Sequence, residues 1–183
     1  FIRYSLGLFP DASAFFSPFV FIISILGIVY ASLTTIQQID LKKIIAYSSV
    51  GHMGLVTVGI FSSNFQGILG SILLMISHGI VSSALFLCIG VLYERHHTRI
   101  VKYYSGLIHT MPLFVVCFII FTLGNIGLPG TSSFIGEILV KYQLKLHYQL
   151  LVLHNELLVI KYGMVLMAFL QQTIEKKQTN KDA

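Results

Sequence analysis

The sequence predicts an all-α membrane protein, a polytopic helical bundle in which the last clear apolar run breaks near Pro129. Three observations carry that expectation. Of 183 residues, 55% are hydrophobic and only 10% are charged, where an ordinary soluble domain has about a quarter charged. The apolar residues gather in runs of about 20, the length that crosses a hydrocarbon core of about 30 Å. Finally, "GNIGLPGTSSFIGEILV" (124–140) interrupts such a run with Pro129, Gly130 and three hydroxyls, then resumes around a carboxylate, Glu137. A chain of this length holds about four to seven spans, so one compact bundle is expected, without a second domain.

The first span is expected over 15–36, "FFSPFVFIISILGIVYASLTTI", with Ser17 and Pro18 suited to its first turn, where proline's missing N–H costs nothing. Asp40, Lys42 and Lys43 end the apolar stretch. A second span over 44–61 contains Ser48, Ser49, Gly51, Gly54 and Gly59, residues small enough to let helix backbones approach closely. The uncharged turn "SSNFQG" leads to a third span over 68–92. Residues 93–110 form the longest polar loop, and a fourth span covers 111–128, with the broken helix continuing over 132–140. Tyr93, Tyr103 and Tyr104 fit an interfacial aromatic belt.

Counting turns places the loops after spans one and three on one side. They hold Lys42, Lys43, Arg95, Arg99 and Lys102, whereas the loop between spans two and three holds no basic residue. By the positive-inside rule that side is the matrix or the cytoplasm. After Val140 the character changes: 141–172 mixes Leu and Val with Lys141, Lys145, His147, His154, Glu156 and Lys161. It is expected to be helical, either spanning or interfacial. Residues 173–183 read as a solvated polar tail.

Composition also excludes some functions. A net charge of +5 suggests nucleic acid at first, but the basic residues lie in short loops and at the C-terminus, without the pattern of a binding groove, so no nucleic-acid partner is expected. Cys88 and Cys117 lie in apolar stretches without the spacing of a disulfide framework or metal site, and read as core side chains. No Gly-rich phosphate loop, nucleophile elbow or HExxH motif is present, so no site for covalent chemistry, cofactor or metal is expected. The chain begins at Phe1 with no signal-peptide pattern. It is therefore expected to be internally cut or incomplete.

Three ionisable residues fall at depths that lipid does not tolerate without cause. His52 lies near the middle of the second span and His78 near the middle of the third. An ionisable group there costs on the order of a few kcal/mol unless it meets protein, water or a partner. Histidine suits a proton relay because it accepts and releases protons near neutral pH. The alternative is a neutral imidazole hydrogen-bonded across two helices. For Glu137, Pro129 removes a helical donor and crowds the carbonyl of Asn125, while Gly127 and Gly130 permit the dihedrals of a break. Thr131, Ser132 and Ser133 are then expected to cap a new half-helix carrying Glu137 about one turn in. Burial penalises the charged carboxylate, whereas the half-helix end and any nearby cation favour it; a group balanced between these effects exchanges protons. The alternative is a loop between spans, with Glu137 near the membrane surface. Lys42 has a transport role as a lesser candidate against its reading as a basic flank. His96, His97 and His109 are expected to be solvated, and Glu94 with Arg95 or Arg99 forms at most a weak surface pair.

"QIDLKKIIAYSSVGHMG" (38–54), "SILLMISHGIVSSALFLCIGVLYERHHTR" (71–99) and "LPGTSSFIGE" (128–137) closely resemble the antiporter-like subunits of mitochondrial NADH:ubiquinone oxidoreductase, respiratory complex I, most of all those of plant, algal or protist mitochondria. The likeness runs from about Phe1 to Val140. It implies the antiporter-like inverted-repeat fold, this chain corresponding to helices nine to twelve, with the break in the twelfth. It also implies that His52 and His78 are the histidines of the hydrated central axis, and that Glu137 is the acidic residue of the broken helix, all three in proton transfer.

The family's buried glutamate and two central lysines of the preceding helices have no counterpart here. Implied partners are the other membrane-arm subunits, including a chain supplying those helices, and lipid. The expected setting is the mitochondrial inner membrane, as a multi-pass chain. Alternatives are a split-gene product, a fragment, or an altered reading frame that does not pump. The implied function is proton translocation coupled to NADH oxidation by ubiquinone, with no flavin, iron–sulfur cluster or quinone bound by this chain. The rivals are a subunit of a multi-chain sodium/proton antiporter and a non-transporting structural or assembly component.

Overall fold

The computed structural model describes residues 1–104 and 106–144. Within them a turn of π-helix, Ile2–Leu6, precedes α1 (Pro10–Gln37), α2 (Leu41–Phe61) and α3 (Phe65–His96). A single turn of 3-10 helix, Val101–Tyr103, and the short α4 (Leu107–Thr110) lead to α5 (Pro112–Ile126) and α6 (Ser132–Leu144). No strand occurs among the described residues. The expectations for the rest of 141–172 and for 173–183 lie outside them.

Helix α1 is inside-out by the standards of a soluble protein. Its buried positions are mostly small and hydroxylic, Ser13, Ser24, Ala31, Ser32 and Thr35, whereas Phe15, Phe19, Ile22, Leu26 and Leu33 are exposed. With hydrocarbon as solvent there is no gain in hiding large apolar groups, and helices associate through small residues and interhelical hydrogen bonds. Accordingly the Ser24 hydroxyl meets the Thr57 hydroxyl at 2.8 Å. Gly54 of α2 lies so close to Ile28 that a Cβ would sit 2.6 Å from its Cγ1.

The helix begins earlier than the sequence predicts. Pro10 takes the first turn and Pro18 falls inside the helix. Proline leaves the carbonyl four residues back without its N–H donor. The Ser17 hydroxyl donates to the Ala14 carbonyl at 2.9 Å, restoring a bond to that group so the helix continues. Helix α3 likewise runs further than 68–92: Tyr93, Glu94, Arg95 and His96 continue it, with Arg95 and His96 favourably placed against its negative end.

Helices α1, α2 and α3 are each long and apolar enough to cross a membrane. Helix α5, at about 1.5 Å per residue, falls short of a 30 Å core on its own. Gly124 of α5 faces Val81 of α3, and beyond the break Ser132 meets Ser77 while Gly70 faces Leu139. Helices α5 and α6 therefore run in one direction, antiparallel to α3, as two halves of a single crossing. This favours the broken helix over the alternative loop between spans.

The two loops that the turn count placed together are in contact. Leu41 N–H donates to the Arg99 carbonyl at 3.0 Å and Val101 N–H to the Ile39 carbonyl at 3.3 Å, with Asp40 and Ile100 forming an isolated antiparallel bridge. Arg99 lies over the Tyr93 ring, 4.3 Å from its centroid, and His96, His97 and His109 are exposed. Tyr104, expected in the interfacial belt, is instead buried and donates its hydroxyl hydrogen to the Thr98 carbonyl.

Candidate functional site: a buried row of ionisable side chains

The break that positions the site is made by Gly127 rather than by Pro129. Gly127 adopts φ 75°, ψ 49°, the left-handed conformation that costs glycine least. Its N–H donates to the Gly124 carbonyl at 3.3 Å while Leu128 N–H donates to the Leu123 carbonyl at 3.2 Å. This doubly bonded helix stop is usual for a glycine just past the last turn. Pro129 follows and keeps the helix from resuming until Ser132.

The three hydroxyls do something different from the expected capping of free N–H groups. Ser133 donates to the Gly124 carbonyl at 2.5 Å, Thr131 to the Leu128 carbonyl at 2.8 Å, and Ser132 to the Ser77 hydroxyl of α3 at 3.0 Å. They add second donors to carbonyls that backbone N–H groups already reach, Gly124 at the end of α5 and Leu128 in the break, and pin the start of α6 to α3.

Helix α6 then approaches α3 at backbone distance. A Cβ on Gly136 would lie 3.0 Å from the Leu74 nitrogen, and one on Gly70 would lie 2.8 Å from the Leu139 Cβ. That approach carries Glu137 into the bundle, where it is 2% exposed, level with the middles of α2 and α3. Its carboxylate lies against the break: a Cβ on Gly127 would sit 3.4 Å from Oε1.

The three candidates named from the sequence come together. Glu137 Oε1 lies 3.4 Å from His52 Nδ1. The His52 ring is 5.1 Å, centroid to centroid, from the His78 ring, tilted by 41°. Helices α2, α3 and α6 each contribute one member. His52 and His78 are both buried, 2% and 8% exposed.

Two further residues extend the row, and the sequence reading did not place them in it. Ser49, one turn before His52 on α2, lies 2.8 Å from His78 Nε2. Lys141 Nζ donates to Glu137 Oε2 at 2.9 Å. Both were within reach of helical spacing, since positions three or four apart share a face. Lys141 was hidden because it opens the stretch of changed character after Val140. Lys42 stands apart: it is exposed in the first turn of α2, about 15 Å of helix rise before His52.

Ser49, His78, His52, Glu137 and Lys141 thus form a line across the bundle interior, every member able to donate or accept a proton or to stabilise a charge beside one. Among the described residues no group of three or more His, Cys, Asp or Glu side chains is arranged to hold a metal ion.

Comparison with known proteins bears on what such a line belongs to. The model of the NADH:quinone oxidoreductase/Mrp antiporter transmembrane family matches residues 1–167. The chain belongs to this family. It is 71% identical over 140 residues to NADH-ubiquinone oxidoreductase chain 4 of Chondrus crispus, covering 76% of this chain and 28% of that one. Identity to the chain 4 of Marchantia polymorpha is 66% over 140 residues, with the same coverage. NADH-quinone oxidoreductase subunit M of Rhodobacter capsulatus is 54% identical over 139 residues, 76% of this chain and 27% of that one.

A chain in the structure of respiratory complex I from Thermus thermophilus with bound NADH superposes with a TM-score of 0.83 at 29% identity, over 94% of this chain and 37% of that one. The membrane-bound sulfane sulfur reductase, an archaeal respiratory membrane complex, shares the fold, with a TM-score of 0.76 at 22% identity, over 81% of this chain and 32% of that one. The chain spans little more than a quarter of the length of the curated relatives it matches.

Proposed function

We infer that this chain forms part of the membrane arm of a respiratory NADH:ubiquinone oxidoreductase and takes part in moving protons as NADH is oxidised. The observation that carries this reading is the buried row His78–His52–Glu137, drawn from three helices and level with the middles of α2 and α3. Ionisable groups at such depth are costly, and pairing them along a line is how proton relays use them. Identities of 54–71% to chains named as NADH oxidoreductase components support this assignment within the family.

The proposed mechanism is transfer of protons along hydrogen bonds. A proton reaching the imidazole pair from the Ser49 side passes between His78 and His52, whose rings are near enough for direct exchange or exchange through one water. His52 protonated on Nδ1 then gives that proton to Glu137 Oε1, at 3.4 Å, a few tenths of an ångström beyond an ordinary hydrogen bond. The broken helix places the carboxylate beside a segment with irregular backbone, the setting in which membrane proteins hold transport sites. Charge and conformational changes arising elsewhere in the complex drive the transfer, and the electron transfer takes place outside this chain. The setting is the mitochondrial inner membrane, as a multi-pass subunit among the other membrane-arm subunits, one of which supplies the preceding helices of the antiporter-like repeat.

The test is Glu137→Gln in the assembled complex in sealed vesicles, with proton uptake and NADH oxidation measured together. Proton uptake per NADH is expected to fall about 100-fold along this path, the lower end of what a positioned proton-transfer group contributes. Unaltered uptake discards the relay. Sodium-dependent uptake without coupling to NADH assigns the chain to an antiporter instead.

A further inference from the structure

The mechanism above uses one oxygen of the Glu137 carboxylate. The other is occupied. Lys141 Nζ donates to Oε2 at 2.9 Å, while His52 faces Oε1. The two partners differ in their surroundings: the His52 and Glu137 side chains are each 3% exposed, and that of Lys141 is 21% exposed. Lys141 therefore stands between the buried carboxylate and the outside of the described bundle.

Its position is built. Glu137 and Lys141 are one turn apart on α6, acid first, which is the favourable orientation for such a pair on a helix. The approach of Gly136 to the backbone of Leu74 fixes the face that α6 presents. From α2 the carboxylate receives His52, and His78 of α3 lies behind it. Helix α5 contains no acidic or basic residue. The long side chain suits the place, because its ammonium reaches the buried carboxylate while part of the side chain stays exposed.

We propose that Lys141 is the outer counter-charge of the Glu137 relay, a positioning residue that holds the carboxylate turned toward the break and speeds the onward release of its protons. The inference rests on the relay reading and adds a second stage to it. In the first step imidazolium His52 gives its proton to the carboxylate, leaving neutral imidazole and a neutral carboxyl. In the second the carboxyl gives that proton to water on the Lys141 side, and the ammonium keeps its own protons throughout. An ammonium at contact distance in a low-dielectric setting stabilises the carboxylate this step re-forms. Lys141 also opens the part of the chain where the sequence likeness to chain 4 stops being legible, so the counter-charge belongs to the divergent segment.

The test compares Lys141→Met, Lys141→Arg and Glu137→Gln in the assembled complex in sealed vesicles. Lys141→Met is expected to lower proton uptake per NADH about tenfold, the effect of losing one adjacent opposite charge, and Lys141→Arg to restore it to within about twofold. Infrared difference spectra should show a protonated carboxyl band in Lys141→Met that is missing from wild type and from Lys141→Met combined with Glu137→Gln. Where Lys141→Met does not assemble, Lys141→Gln, which keeps a hydrogen bond without the charge, takes its place. Wild-type uptake in Lys141→Met, or the absence of that band, overturns the proposal while leaving the relay standing. Unchanged uptake in Glu137→Gln overturns the relay, and the infrared band still decides whether Lys141 holds the carboxylate ionised.

Discussion

The two halves of α3 are packed by opposite means. Its buried face runs Gly67, Gly70, Ser71, Leu74, Ser77 and His78 in the first half, then Leu85, Ile89 and Leu92 in the second. The first half meets α6 at backbone distance, with hydroxyls and the ionisable row between helices. The second half meets α5 and the connecting segment through side chains alone, in a cluster with Leu41, Ile45, Tyr104, Leu107 and Val115. Hydrocarbon outside the bundle makes both solutions workable, but they serve different ends. Close backbone contact leaves room only for small groups and a few placed polar ones, and that end holds the buried ionisable row. Filling the space with Leu and Ile fixes the angle between helices and shields the connecting segment.

The widest separation of the two halves should come from truncating the packed end. Leu85→Ala is expected to destabilise the assembled chain by about 3 kcal/mol, as a cavity at a fully buried leucine does. Proton uptake per NADH in the complexes that assemble should stay at the wild-type level. Thermal unfolding in detergent beside vesicle pumping reads both. A pumping defect at unchanged stability breaks the division.

Gly136→Val attacks the other end through its packing. The added Cβ meets the Leu74 backbone, which has no flexible end to give way, and overpacking of this kind costs about 2 kcal/mol. Here stability and proton uptake should fall together, since the same contact carries Glu137 inward. A destabilised variant with normal uptake separates the contact from the site.

His78→Gln sharpens the contrast by touching chemistry with little change in packing. Uptake per NADH should drop about tenfold, equivalent to about 1.4 kcal/mol, whereas stability should move by less than about 1 kcal/mol, the scale of one interhelical hydrogen bond in a membrane. An equal loss in both makes His78 a structural imidazole.

The smallest effect belongs to the connecting segment. Tyr104→Phe removes the hydroxyl bond to the Thr98 carbonyl and should cost about 1 kcal/mol. Burial pushes the Tyr104 phenol above its ordinary value of 10.0, against the opposing pull of Arg99. Above that value the unfolded chain releases the proton while the folded one retains it, so stability falls as pH rises and Tyr104→Phe should abolish that decline. A decline that persists in Tyr104→Phe, measured by chemical unfolding between neutral pH and about pH 11, assigns it to another group.

The same contrast explains what could be read from the sequence. The all-α membrane class was legible because apolar runs and positive-loop asymmetry are properties of the chain itself. His52, His78 and Glu137 stood out because lipid penalises each one separately, whatever its neighbours. That Pro18 sits within α1 was not legible, because proline's ordinary effect is offset by a hydroxyl one residue earlier. The break was legible from Pro129 with Gly127 and Gly130 as the residues that permit its dihedrals, but not that the helix stops at Gly127, two residues before the proline, through bonds that depend on its left-handed conformation. Lys141 escaped because an apolar–charged mixture after Val140 lacks a clean period, and only the known course of α6 puts its ammonium on Glu137. Tyr104 looked like a belt residue because aromatic type and position carry no sign of which way a connecting segment folds.

The account stands on the members of the buried row acting in series. The direct measurement is a double-mutant cycle on proton uptake per NADH in sealed vesicles, with His52→Gln, Glu137→Gln and the two combined. Groups on one path are strongly non-additive, so the combined variant should retain the same residual uptake as the worse single variant. Losses that multiply, as for two independent contributions, would contradict a single path through His52 and Glu137.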